Sequence, residues 1–180
     1  MYTKQKNPIA IRSQQMISEG MIRLMKRISY QKITVSDLCE ESAVGRKTFY
    51  RNFESKEDVI DFQLDQLLRE YEEEQNPIPL EKKLHFHFSF LEKHMEYLTL
   101  LYFNGLMPMM YAKFNFLIPQ IMPIWSQNPV EQRYRSACIV SMINAVVYVW
   151  AEREFEESVD EITKIMKQSL ECCVPMGWVP

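Results

Sequence analysis

Ile17, Met21, Leu24, Met25 and Ile28 recur three and four residues apart, which places them on one stripe of a helix, while Arg12, Arg23, Lys26 and Arg27 occupy the other side. Asn7-Pro8 precedes them as a start signal, since Asn caps well and proline's fixed φ suits the first helical position. The pattern predicts a helix that fades near Ser29-Tyr30. Two short helices follow. Thr34-Val35-Ser36-Asp37 opens the first, with Asp37 placed to answer Thr34 in a capping box. Leu38 points inward there, and Glu40-Glu41 outward. Ser42-Ala43-Val44-Gly45 then breaks the chain. Arg46 to Asn52 forms the second short helix, with Phe49 and Phe53 four residues apart on its buried side. A fourth helix is capped by Ser55-Lys56-Glu57-Asp58 and carries Val59, Phe62, Leu64, Leu67 and Leu68 along one side before the acidic run Glu70 to Glu74.

The prolines of Asn76-Pro77-Ile78-Pro79 disfavour helix in the residues before them and mark the clearest break in the chain. A long fifth helix is expected from Leu80. The proline-interrupted apolar stretch Leu98 to Trp125 reads as two or three shorter ones. Asn128-Pro129 opens a long helix, Val130 to about Phe155, and a last helix spans about Val159 to Cys173, followed by an irregular tail. No strand-like alternation runs beyond a few residues, and no internal repeat is visible. With only four glycines and abundant Met, Leu, Glu, Lys and Gln, the expectation is an all-α chain. Its expected organisation is a helix-turn-helix head over 1–56 and a helical body over 57–180.

Composition changes this picture in three places. The polar N-terminus lacks a secretory h-region, and Leu98 to Trp125 is too interrupted for the ~20-residue apolar run that a bilayer span needs. The four cysteines, Cys39, Cys138, Cys172 and Cys173, lack zinc spacing, so a reduced cytoplasmic protein with no cofactor is expected. Charge is divided unevenly. Residues 1–56 hold eleven Lys/Arg against five Asp/Glu, giving +6, whereas residues 57–180 hold ten against nineteen, giving −9. A basic head on an acidic body is the asymmetry of a molecule that meets a polyanion at one end.

Two short helices joined by a tight turn form a helix-turn-helix, whose second helix must be exposed and basic to lie in the major groove. Here that helix begins Gly45-Arg46-Lys47-Thr48, with Tyr50 three residues after Lys47. Arg and Lys suit guanine O6 and N7. Thr48, Phe49, Tyr50, Phe53 and Lys56, at their offsets from the Thr34 to Cys39 helix and the Val44-Gly45 turn, resemble the TetR-family DNA-binding domain over about residues 9–60. In detail the chain resembles the Firmicutes-type branch of that family. Gly45 stands where the family usually has a capping Ser or Thr, Lys47 where a small residue is common, and Ser29 where a glycine often ends the first helix.

The resemblance implies a non-enzymatic, sequence-specific regulator, a repressor by default, acting as a homodimer on a palindromic DNA operator. Thr48, Tyr50 and Lys56 would hold phosphates and Arg46 and Lys47 would contact bases, with Arg51 and Thr34 completing the DNA-facing set. A small apolar effector would sit among the middle helices, where Tyr102, Phe103, Met107, Met110, Tyr111, Phe114 and Trp125 fall. The last two helices would pair with a second copy through Val130, Tyr134, Ala137, Ser141, Ala145, Tyr148, Ile162 and Met166. An alternative is a TetR-like coactivator that works through a protein partner and binds DNA weakly itself. No Ser/His/Asp set, phosphate loop or paired carboxylates argue for an enzyme. His85 and His87 are two residues apart and point to different sides of a helix, so no metal site is expected. Cys172-Cys173 reads as an ordinary pair at a helix end.

Overall fold

The computed structural model describes Tyr2 and residues 7–75, 78–79, 82–121 and 128–173, apart from the side chains of 116, 118–121 and 171–173. Among the described residues the chain is all-helical. The helices are α1 (Pro8–Met25), α2 (Val35–Glu41), α3 (Arg46–Asn52), α4 (Lys56–Gln75), α5 (Lys83–Lys93), α6 (Met95–Phe103), α7 (Met107–Ile121), α8 (Pro129–Glu152) and α9 (Val159–Cys173), with a 3₁₀ turn at Tyr30–Lys32. They group into two compact units. The head comprises Met1–Glu70 with Phe103–Gly105, and the body Tyr71–Tyr102 with Leu106–Pro180. The junction expected after residue 56 falls inside the head.

In the head, α1, α2 and α3 pack on one another around Ile17, Met21, Leu38, Phe49 and Phe53, and Val59, Ile60 and Leu64 of α4 are buried with them. Polar contacts fix the register. The buried Gln63 Nε2 donates to the Ser18 carbonyl at 2.7 Å, and Tyr2 Oη donates to Asp65 Oδ2 at 2.6 Å. Gly20 lets α1 approach α2: a Cβ there would stand 3.3 Å from Ser42 Cβ.

In the body, α5 packs on α9 and α8 on both α7 and α9. Tyr71, His87, Phe90 and Phe114 form an aromatic cluster with ring centroids 4.9–5.8 Å apart. Tyr71 Oη and His87 Nδ1 are 3.1 Å apart, and burial pushes the imidazole pKa down to about 4. Two helices differ from expectation. The long fifth helix is two: α5 stops at His94, whose carbonyl accepts from Tyr97 and Leu98 and starts α6. The long helix expected to run to Phe155 stops at Glu152, because Glu154 and Phe155 turn to φ +53° and +59°. The Phe155 N–H then closes on the Trp150 carbonyl at 2.8 Å.

Candidate nucleic-acid interface

Helices α2 and α3 are set by their ends. Thr34 caps α2 with a complete capping box: its Oγ1 accepts from the Asp37 N–H at 3.2 Å, and Asp37 Oδ2 accepts from the Thr34 N–H at 2.8 Å. Asp37 also accepts from the Thr34 hydroxyl, which holds its carboxyl below the usual range. Helix α2 ends in a double turn, with Val44 N–H on the Cys39 carbonyl and Ala43 N–H on that of Glu40. This puts Ala43 at φ +52°, a conformation that disfavours any side chain. The tight return delivers Gly45 as the N-cap of α3, with no side chain to bond the first N–H groups.

Helix α3 divides cleanly. Phe49 and Asn52 are fully buried, whereas Arg46, Lys47, Tyr50 and Arg51 are exposed and Thr48 lies at the border. Asn52 Nδ2 bonds the Thr48 carbonyl at 2.8 Å, while its Oδ1 is buried without a hydrogen bond. Phe49 meets Phe53 and Tyr50 at 5.8 and 5.4 Å between ring centroids, so the buried ring supports the exposed one. Arg46 is drawn across to α2 by a hydrogen bond to Ser36 Oγ.

Three other cations of the head are already engaged. Arg23 and Arg27 converge on Glu41, which Arg23 holds at 2.7 Å, and their hydrogen bonds keep its carboxyl ionised below the usual range. Lys56, expected on phosphate, is occupied: its Nζ donates to the carbonyls of Tyr30 and Ile33 at 2.8 and 2.9 Å, with Gln31 at 3.4 Å. It also lies 4.4 Å from the Tyr30 ring centroid. An ammonium has three donors, so Lys56 is a clamp on the 3₁₀ turn. Thr34 is likewise committed to its cap, beside a carboxylate that repels phosphate. Of the residues expected to face DNA, the structure brings Arg46, Lys47, Thr48, Tyr50 and Arg51 together on one exposed edge, with Thr34 and Lys56 supporting it.

That edge, short, cationic and braced from behind, is a recognition helix in geometry. Residues 17–61 match the profile of a family described as "Bacterial regulatory proteins, tetR family". The head is a TetR-family DNA-binding domain. The chain is similar in fold to a TetR transcriptional regulator from Streptococcus agalactiae 2603V (TM-score 0.72, 18% identity, 89% of this chain and 94% of that one). It also resembles a chain named "Dihydroxyacetone kinase operon activator DhaS" (TM-score 0.59, 15% identity, 90% and 98%). No curated protein sequence matches the chain.

The TetR head also relies on residues that the sequence reading passed over. Asn104 Oδ1 accepts from the Tyr30 N–H at 2.7 Å and its carbonyl accepts from Gln31 Nε2 at 3.1 Å, while Tyr30 Oη donates to Glu57 at 3.0 Å. Asn104-Gly105 signals a turn, but no local pattern reveals a partner more than seventy residues away.

In the body, the expected effector-site residues separate. Met107, Met110 and Phe114 are buried to 2% exposure as core, Phe103 is 64% exposed and groups with the head, and Trp125 lies outside the described residues. Tyr102 stacks edge-on with Tyr148 at 5.1 Å, and Tyr111 presents a buried hydroxyl without a hydrogen bond. None of the six described residues lines either described cavity. Val130, Tyr134, Ala137, Ser141, Ala145 and Tyr148 of α8 are all exposed. Ile162 and Met166 are not: at 5% and 0% exposure they fill the body's own core, because α9 turns that stripe toward its own subunit. Val149 and Ile165, about half exposed, extend the outer apolar face instead. The side chains of Cys172 and Cys173 lie outside the described residues. His85 Nε2 sits 3.0 Å from Asp160 and His87 faces Tyr71, so the two histidines serve different contacts.

Proposed function

We propose that the protein is a homodimeric, sequence-specific DNA-binding repressor of the TetR type, of the Firmicutes-type branch, whose affinity for a palindromic operator responds to a small apolar ligand or a partner. The observation that carries the reading is the edge of α3, where Arg46, Lys47, Tyr50 and Arg51 stand in solvent opposite buried Phe49 and Asn52. Such a surface meets phosphates and the base edges of the major groove. The homodimer is supported by α8, whose exposed stripe is apolar and small-residue-rich over the length of a 24-residue helix. Two heads related by a two-fold axis read half-sites one helical turn apart, about 34–36 Å.

The test is selection of bound genomic DNA by the purified protein, followed by affinity measurements across salt. A palindromic consensus whose affinity falls steeply with salt is the expected result. Absence of any enriched sequence, or affinity indifferent to salt, refutes the reading. One chain of similar fold is named as an operon activator, and the second reading is a TetR-like coactivator that works through a protein partner and binds DNA weakly itself. That reading predicts enrichment only when the partner is added.

A further inference from the structure

One cavity of the body lies far in sequence from the recognition helix and plays no part in the reading above. It is a groove of about 360 Å³ between α5 and α9, lined by His85, Asp160, Thr163, Lys164, Lys167 and Gln168. The five α9 residues fall at i, i+3, i+4, i+7 and i+8, so they form one continuous polar stripe. Two features of that stripe have no internal explanation among the described residues. Lys164 and Lys167 are exposed neighbours of like sign with no carboxylate partner among the described residues, although the body carries a net charge of −9 over residues 57–180. The carboxylate that lines the groove, Asp160, is turned to His85 Nε2 at 3.0 Å, and the ring's Nδ1 lies 3.3 Å from Ser89 Oγ. Thr163 is 5% exposed, and its Oγ1 is buried without a hydrogen bond.

An unsatisfied hydroxyl and a pair of like charges with no carboxylate partner among the described residues are both destabilising, and one ligand chemistry answers both. A tetrahedral oxyanion accepts from several donors at once and carries the opposing charge. We propose that this groove binds a small phosphorylated molecule, its phosphate held by Lys164 and Lys167, with the Gln168 carboxamide and the Thr163 hydroxyl as neutral donors. The volume suits a metabolite-sized ligand, since such sites begin at about 300 Å³. Asp160, bonded to His85, marks the end of the groove nearest the α9 N-terminus, one turn before Lys164.

Inorganic phosphate titrated into the full-length protein, followed by amide NMR at constant ionic strength, tests this directly. Saturable shifts centred on residues 160–168 are expected, with a dissociation constant on the order of 1 mM for the bare ion. The double variant K164Q/K167Q keeps helix-forming residues at both positions and weakens binding by at least about tenfold. T163V, which conserves shape, weakens it several-fold without loss of folding. Acetate at the same ionic strength leaves the shifts unsaturated. Phosphate shifts that match those of acetate, or that survive in K164Q/K167Q, overturn the proposal. Because the readout involves no DNA, its failure is independent of the repressor reading.

Discussion

Helix α3 turns Phe49 and Asn52 inward and leaves Arg46, Lys47, Tyr50 and Arg51 in solvent. Helix α8 buries Ser136, Val140, Ile143, Val147 and Trp150 on one seam, yet its outer seam is again apolar, with Val130, Tyr134, Ala137, Ala145 and Tyr148 around Ser141. One helix is amphipathic and the other apolar on two sides. A solvent-facing helix gains nothing from a second apolar seam, which is the pattern of a helix buried all round. Length and hydropathy alone would also suit α8 to a bilayer, but its inner seam is packed within its own subunit. The contrast separates the two proposals: a surface for a polyanion at α3, and at α8 an apolar seam for which we propose a second copy as the cover.

The largest expected effect breaks the second half of that contrast. Ser141→Arg places a charge in the middle of the outer seam of α8, where the isolated subunit has room for it. An unpaired charge buried at an interface costs several kcal/mol, so the dimer dissociation constant rises by at least about a hundredfold. Sedimentation velocity should show a monomer with unchanged helicity. A dimer that persists unweakened would place the interface elsewhere.

The next separates the two kinds of cation in the head. Lys56→Met removes the clamp on the Tyr30, Gln31 and Ile33 carbonyls, charge-assisted bonds worth about 1.5–3 kcal/mol. The melting temperature should fall along with affinity for every DNA sequence. Lys47→Ala, with no contact to lose among the described residues, leaves melting unchanged and lowers sequence discrimination by about 1–3 kcal/mol. If Lys56→Met melts like the parent and only loses DNA affinity, the lysine reaches phosphate after all.

What could be read in advance follows the same division. The bounds of α3, the Thr34–Asp37 box and the buried Phe49/Phe53 pair are local events, set by caps and spacing within one or two turns, and the structure places them as the sequence implies. The exposed α8 stripe was legible for the same reason. The engagement of Lys56 with Tyr30, the reach of Asn104 to the 3₁₀ turn, and the inward turn of Ile162 and Met166 all depend on partners distant in sequence. A helical period fixes which residues share a face. It does not say whether that face meets the chain's own core or another molecule.

Acid sharpens the difference between head and body through His87. Its pKa is about 4 in the folded body, against an ordinary value of 6.5. Below pH 6.5 the unfolded chain binds a proton that the folded state does not, so stability is complete above 6.5 and falls as pH drops toward 4. The loss is on the order of 2–3 kcal/mol. Asp37 and Glu41 of the head, whose carboxyls are held down, lose their contribution only at lower pH. Chemical denaturation between pH 7 and 4.5 should therefore show a slope that His87→Phe flattens, and a slope unchanged in that variant would assign it to other groups.

The smallest effect concerns the leading end of α3. Gly45 has φ −68°, which any residue adopts, and a Cβ there would meet nothing within 4 Å. Neither backbone strain nor packing in the subunit calls for glycine. Serine at the N-cap would accept from the free N–H groups of the first turn, so Gly45→Ser should stabilise the head by only a few tenths of a kcal/mol, a rise of about 1–2 °C in melting temperature. If operator affinity falls while melting rises, the missing side chain serves the close approach of DNA to the end of α3. If affinity rises with stability, position 45 carries no such constraint, and the exposed cationic edge alone accounts for the contrast with α8.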